Sequence, residues 1–83
     1  MTEEDIAERN HFLVRRMATN LGKKYFEKGV LPVDIAIGLT YAALDHAAAM
    51  HGDDQHAAVE WMRSTLNEFE RSMLEQQSAK RTQ

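Results

Sequence analysis

Turn-forming residues are sparse in this sequence, and they divide the chain into three long segments. The 83 residues include one proline, Pro32, and only four glycines. Gly29 and Gly52 each follow a stretch of helical periodicity, and glycine in that place supports the left-handed backbone that ends a helix. Strand signals are poor and no internal repeat occurs. The sequence therefore predicts an all-α fold, a small antiparallel three-helix bundle with a central, largely apolar second helix.

The apolar periodicity sets approximate bounds for the helices. We expect them at about 3–28, 32–51 and 54–76. Thr2 is the expected N-cap of the first helix, and Asp53 or Asp54 that of the third, whose apolar residues recur in an a/d-like stripe. One domain is expected over residues 1–76. The pattern fades after it, so residues 77–83 are expected to form a flexible polar tail.

The second segment is apolar around most of its circumference. Only a narrow side, which carries Asp34 and Asp45, interrupts the apolar surface. A helix of this kind is usually buried, so we expect it to be contacted from more than one direction. Gly38, Ala42 and Ala49 share one ridge, and their small side chains would let another helix approach closely. That helix would belong either to the same chain or to the second chain of a two-fold homodimer.

Three of the four histidines lie in the stretch LDHAAAMHGDDQHAAVEWM, each five residues from the next. Five residues on a helix correspond to about 500°, so these side chains do not share a face. His46 is expected on the apolar side, as a core or interface residue. His51 is expected at the end of helix two, near the negative pole of the helix. We interpret the stretch mainly as the turn of a helical hairpin.

A metal site at this turn is a weaker interpretation. His56 and Glu60 form a His-x-x-x-Glu pair on one helical face, and Asp53 lies three residues before His56. Imidazole and carboxylate groups bind zinc when three or four of them converge. The pair is expected on a solvated face, so these residues are weak candidates. A transition-metal-binding helical protein is thus a second alternative, and no cofactor is expected.

The sequence contains no residue pattern that is typical of an active site. The chain has no cysteine, and no serine or threonine lies in a nucleophile elbow or beside an evident base. It has no glycine-rich phosphate loop, and a bundle of this size has little room for a ligand cavity of about 300 Å³. We therefore expect a protein that is not an enzyme. No signal peptide or membrane-spanning segment is evident, which predicts a cytoplasmic protein.

The charge is unevenly distributed along the chain. The net charge is −3, yet residues 9–28 carry six bases and one acid, a net charge of +5. The remaining residues carry four bases and twelve acids, a net charge of −8. Any surface that binds anions must therefore come mainly from the first third of the chain.

An aromatic side chain lies within this basic segment. Phe12 falls on the face of helix one opposite its apolar stripe, and its neighbours on that face are Glu8, Arg15, Arg16, Thr19 and Lys23. A large aromatic residue surrounded by arginine and lysine is typical of a contact surface for an acidic or aromatic partner. We therefore predict a small protein–protein interaction module (an adaptor, regulator or inhibitor) that acts through Phe12, Arg15, Arg16 and Lys23. Another protein is the expected partner, and a homodimer is the second expectation.

A nucleic-acid-binding regulator that uses the basic segment 9–28 is the main alternative. The stretch YFEKGVLPVDIAIGL has the helix, glycine turn and helix of a helix-turn-helix motif. Its second helix, however, carries Asp34 and Asp45 and no arginine or lysine. Phosphate contacts dominate affinity for DNA, so carboxylates at the groove would weaken binding. Nucleic acid is therefore the less favoured partner.

Overall fold

The computed structural model describes residues 1–81, and within them it contains three α-helices and no strand. The helices are α1 (Glu3–Glu27), α2 (Pro32–Met50) and α3 (Gln55–Arg81). α2 contacts both α1 and α3. The predicted all-α three-helix fold is therefore confirmed. Across the described residues, no helix combines the length and the apolar character that a membrane span requires.

α1 begins with a reciprocal pair of hydrogen bonds. The Asp5 backbone N–H donates to Thr2 Oγ1, and the Thr2 backbone N–H donates to Asp5 Oδ2, each over 3.2 Å. This capping box satisfies donors that have no partner inside the helix. Glu3 and Glu4 add negative charge beside the positive pole of the helix. The prediction that Thr2 is the N-cap is confirmed.

Glycines end the first two helices. Gly29 has a φ of 96° and Gly52 a φ of 64°, in the left-handed region that glycine adopts without steric cost. The residue after each glycine donates its backbone N–H to a carbonyl in the last helical turn, over 3.1 Å for Val30 and 2.8 Å for Asp53. These bonds satisfy carbonyl groups that the helix leaves unpaired. Both predicted helix ends are therefore close to the observed ones.

The N-cap of α3 is Asp54 rather than Asp53. Asp54 Oδ1 accepts a hydrogen bond from the Ala57 backbone N–H over 3.1 Å. Asp53 instead has a φ of 66° and belongs to the turn. Aspartate is among the few residue types other than glycine that tolerate this backbone conformation. The two adjacent aspartates thus have different roles, since Asp53 forms the turn and Asp54 caps the helix.

α3 is longer than the sequence indicated. The helix continues to Arg81, so residues 77–81 of the predicted polar tail are helical. Glutamine, alanine, lysine and arginine are strong helix formers, and neither glycine nor proline interrupts this segment. Loss of apolar periodicity therefore does not end the helix. Residues 82–83 of the predicted tail lie outside the described residues.

The contacts within the chain fall into two units, residues 1–40 and residues 41–83. In the first unit, α1 approaches the first part of α2 at a glycine. A Cβ atom placed on Gly22 would lie 3.2 Å from Ile35 Cγ2, closer than an ordinary van der Waals contact. The absence of a side chain at Gly22 therefore permits this approach, and α1 continues through it without a break. The prediction of one domain over residues 1–76 stays a prediction.

In the second unit, a cluster of alanines joins α2 to α3. Ala47 and Ala48 on α2 are buried, and Ala58 on α3 is 0% exposed. Leu44 and Met62 pack against this cluster and are themselves partly buried. The distance between two packed helices depends on the side chains at their contact, and methyl groups permit a short distance. The contact between these helices is therefore close and small.

The expectation of a buried central helix is corrected by this arrangement. Among the residues of α2, only Ala47 and Ala48 are buried, whereas larger side chains such as Val33 and Ile37 are exposed. His46, which we expected on the apolar side as a core or interface residue, is also exposed. The reason is that small residues form the centre of the helix contacts, so most of the larger side chains around them stay exposed. Apolar character all around a helix therefore did not lead to burial all around it.

The ridge formed by Gly38, Ala42 and Ala49 does not provide the packing within the chain. A Cβ atom placed on Gly38 would meet no atom within 4 Å, and both alanines are exposed. Ala48 and Ala58 are instead among the small residues that are packed. The alternative role of the ridge, in a contact across a homodimer, stays a prediction.

A larger side chain at Ala58 is expected to destabilise the fold. We expect Ala58→Leu to lower the free energy of unfolding by about 1–3 kcal/mol, because the close contact with α2 leaves no space for the added atoms. Ala49→Leu is the matched control, because Ala49 is exposed and its effect should stay within about 0.5 kcal/mol. Urea denaturation followed by circular dichroism measures both. Equal effects of the two substitutions would contradict the assignment of the core to Ala58.

A methyl group at Gly38 is expected to stabilise the fold. We expect Gly38→Ala to raise the free energy of unfolding by about 0.5–1 kcal/mol, because alanine favours the helix and the site has open space. Gly22→Ala should raise the free energy of unfolding by less, since its new methyl group would press against Ile35. Thermal denaturation compares the two variants. A destabilising Gly38→Ala would show that another helix approaches this ridge in solution.

Candidate protein-binding surface on α1

One face of α1 contains a shallow, open depression of about 290 Å³. The side chains that line it are Phe12, Arg15, Arg16, Thr19, Asn20 and Lys23. Their spacings of three and four residues place them as neighbours on one helical face. All four residues that we predicted for partner binding therefore belong to one surface, which we call the α1 depression.

Three cations border the α1 depression, and none of them has a carboxylate partner in the described part of the chain. Arg15, Arg16 and Lys23 are exposed and form no ion pair there, whereas Arg71 on α3 pairs with Glu68. A guanidinium group offers five N–H donors and an ammonium group three. These donors are directed to solvent or to a partner. The α1 depression is therefore bordered by three cations that form no ion pair with any described residue.

The aromatic component of this surface is Phe12, whose side chain is 65% exposed. Phe26 is also exposed, and it lies three residues from Lys23 on a helix that is continuous through Gly22. Exposed single aromatic residues are common, but an exposed phenylalanine among unpaired cations combines apolar area with charge. Contact with a partner would remove Phe12 from water.

Sequence reasoning placed Thr19 on this face without naming it as a binding residue, and it missed Asn20, although a signal for both was present. Thr19 follows Phe12 by seven residues, and Asn20 follows Arg16 by four, so both continue the same face. Their hydroxyl and amide groups both donate and accept hydrogen bonds. They add neutral polar contacts to a surface that otherwise offers only cationic donors and one aromatic ring.

The weak candidates for metal binding do not form a site. In residues 1–81, no three histidine, cysteine, aspartate or glutamate side chains lie close enough together to hold one metal ion. His56 and Glu60 lie on α3, whereas Asp53 belongs to the turn before it. A zinc site needs three or four protein ligands, which this arrangement does not supply. The second alternative, a metal-binding helical protein, stays a prediction.

His51 lies directly after α2, as expected from the sequence. Its backbone N–H donates to the Ala48 carbonyl over 3.0 Å. The imidazole is partly buried, and its Nδ1 atom has no hydrogen-bond partner in the described structure. One ring nitrogen at a helix end is not by itself a binding site.

α2 does not have the surface of a DNA recognition helix. It is more exposed than the sequence indicated, so its side chains are accessible to a partner. Asp34 and Asp45 are among the exposed residues, and the helix contains no lysine or arginine. Carboxylates repel the phosphate groups that dominate affinity for DNA. The alternative of a nucleic-acid-binding protein therefore depends on α1 alone.

No protein-family model, curated protein or solved structure matches this chain. The functional interpretation accordingly rests on the geometry and chemistry of the α1 depression.

Proposed function

We propose that this protein is a small interaction module, not an enzyme, and that it binds an acidic segment of another protein through the α1 depression. The observation that supports this is the meeting of Phe12 with three unpaired cations in one depression. An adaptor, regulator or inhibitor would act by this contact. The bound segment would present carboxylates to the cations and an apolar side chain to the phenylalanine.

The residue types in the α1 depression suit such a contact. Arginine is enriched in protein interfaces because its planar guanidinium group binds a carboxylate through two parallel hydrogen bonds. Arg15 and Arg16 supply two such groups, and Lys23 adds a point charge two turns further along α1. Phe12 supplies apolar area at the same place. Desolvation of the ring on binding would strengthen the neighbouring charged hydrogen bonds.

An acidic protein segment fits this surface better than nucleic acid does. Binding to a phosphate backbone would use every base of residues 9–28, including Lys24 and Lys28, which lie outside the α1 depression. Lys28 lies 5.8 Å from the centre of the Tyr25 ring, an internal contact. The remaining chain is strongly acidic and would repel an extended polyanion. A short acidic segment needs only the local cluster of cations.

The test compares two double variants of α1 that remove the same charge. The probes are fluorescent peptides of about 12 residues, rich in aspartate and glutamate and containing one aromatic residue, with asparagine and glutamine versions as neutral controls. We expect Arg15→Gln/Arg16→Gln to weaken binding of the acidic peptides about tenfold, a loss of about 1.4 kcal/mol. Lys24→Gln/Lys28→Gln should weaken it less than about threefold, because neither lysine lines the α1 depression.

Both double variants should keep the stability of the parent chain to within about 0.5 kcal/mol, since the four side chains are exposed. Fluorescence anisotropy measures peptide binding, and circular dichroism checks the fold. Phe12→Ala should weaken peptide binding as well, because the contact uses the ring. Equal losses in the two double variants would contradict a localised site.

The same titrations with a DNA duplex test the main alternative. Binding of the duplex that exceeds peptide binding, falls steeply with salt and does not depend on Phe12 would replace the proposal by nucleic-acid binding.

A further inference from the structure

α3 carries an apolar stripe with the spacing of a coiled coil, and none of its residues lines the α1 depression. The stripe, which we call the α3 seam, consists of Val59, Met62, Leu66, Phe69 and Met73. Its members alternate at three and four residues, which is the a/d pattern of helices that pair along their length. A seam of this kind is normally covered by another helix.

The α3 seam is covered over its first part only. Met62 packs against the alanine cluster, and Val59 is partly buried. Leu66, Phe69 and Met73 are 61%, 59% and 60% exposed. Three large apolar side chains in consecutive a and d positions thus face water, although the same stripe takes part in packing one turn earlier.

We propose that a second copy of this chain covers the α3 seam, through an antiparallel, two-fold symmetric pairing of the two α3 helices. In this pairing Leu66 lies opposite Phe69 of the partner subunit, and Met73 lies opposite Met62 of the partner subunit. Antiparallel helices place a positions against d positions, so a seam with both kinds of residue can pair with itself. The proposal concerns α3 alone and does not rest on the function proposed for α1.

Charge complementarity selects the antiparallel direction. Arg63 and Glu70 both occupy the position that follows a d residue, one heptad apart. With Leu66 opposite Phe69 of the partner subunit, Arg63 lies beside Glu70 of the partner subunit, and symmetry repeats this pair. In a parallel pairing in register, Arg63 would instead face an alanine and Glu70 a threonine. Only the antiparallel direction therefore brings opposite charges together.

The flank that carries these charges is open. Arg63 and Glu70 are exposed, and neither forms an ion pair within residues 1–81. Ala58, where α2 packs, lies about 140° around the helix from Arg63 and about 120° from Glu70, on the other side of the α3 seam. α2 therefore does not block the charged flank. Arg71, by contrast, points outward and already pairs with Glu68.

The exposed apolar area is appropriate for a modest dimer. A large apolar side chain that is about 60% exposed presents about 100 Å², so Leu66, Phe69 and Met73 contribute about 300 Å² per chain. A standard interface buries about 800 Å² per partner, of which about 450 Å² is apolar. Val59, Met62 and the alkyl stem of Arg63 can supply the remainder. The available apolar area is therefore close to that of a standard interface.

The experiment measures the solution mass of the full chain from about 1 to 500 μM at low salt, where surface charges are least screened. We expect a monomer–dimer equilibrium by light scattering and sedimentation. Arg63→Glu and Glu70→Arg should each weaken the dimer about tenfold, since both convert two attractive pairs into two repulsive ones. The double variant Arg63→Glu/Glu70→Arg should restore it, which also shows that the single variants did not fail merely by unfolding.

Mixing the two single variants tests the pairing directly. Random pairing of the two chains yields one half heterodimer, whereas antiparallel pairing makes every charge contact in the heterodimer attractive. Native mass spectrometry should therefore find heterodimers well above one half of all dimers. Arg71→Glu changes the charge of α3 by the same amount as Arg63→Glu, but on the outward side of the helix. It should leave the dissociation constant of the dimer within about twofold of that of the parent chain.

Two results would overturn the proposal. One is a chain that stays monomeric up to about 500 μM, which would leave the seam to a different partner. The other is a dimer that responds equally to Arg63→Glu and Arg71→Glu or that mixes at random, which would place the interface elsewhere, for example on the ridge that contains Gly38.

Discussion

Contact between helices through very small residues is the constraint on which this structure depends. Ala47, Ala48 and Ala58 form the buried cluster of the second unit, and Gly22 permits the approach of α1 to α2 in the first. A methyl group buries little area, so each contact contributes little hydrophobic free energy. The short distance that these residues allow nevertheless leaves most of the larger side chains outside the contacts. The exposed apolar surface follows from this choice of contact residues.

The surface that the helix contacts leave exposed includes two chemically different parts. The α1 depression is rich in unpaired positive charge and contains one prominent ring, which favours a charged partner. The α3 seam is apolar along its length and has one charge of each sign on its flank, which favours a copy of itself. A two-fold pairing requires self-complementarity, and a cluster of three cations lacks it. The two proposals therefore assign different partners to these two surfaces.

The site on α1 was more accessible to sequence reasoning than the packing was. Phe12, Arg15, Arg16 and Lys23 lie on one helix, so their relation follows from helical periodicity alone. Burial on α2 depends instead on how closely other helices approach it. A composition that is apolar all around predicts a buried helix, yet alanine contacts cover only a narrow strip of it. The same reasoning explains why His46 is exposed.

The sequence by itself determined that three helices form, where the first two end, and which residues share a face of α1. Thr2, Gly29 and Gly52 act within a few residues of their own positions, so their effects can be derived from local stereochemistry. Only the tertiary structure decided which side chains are packed, that Gly22 lies against Ile35 while Gly38 faces open space, and that three of the five residues of the α3 seam are exposed. Helical periodicity states which residues share a face. It does not state how near the next helix comes, because that distance depends on the side chains of both helices together.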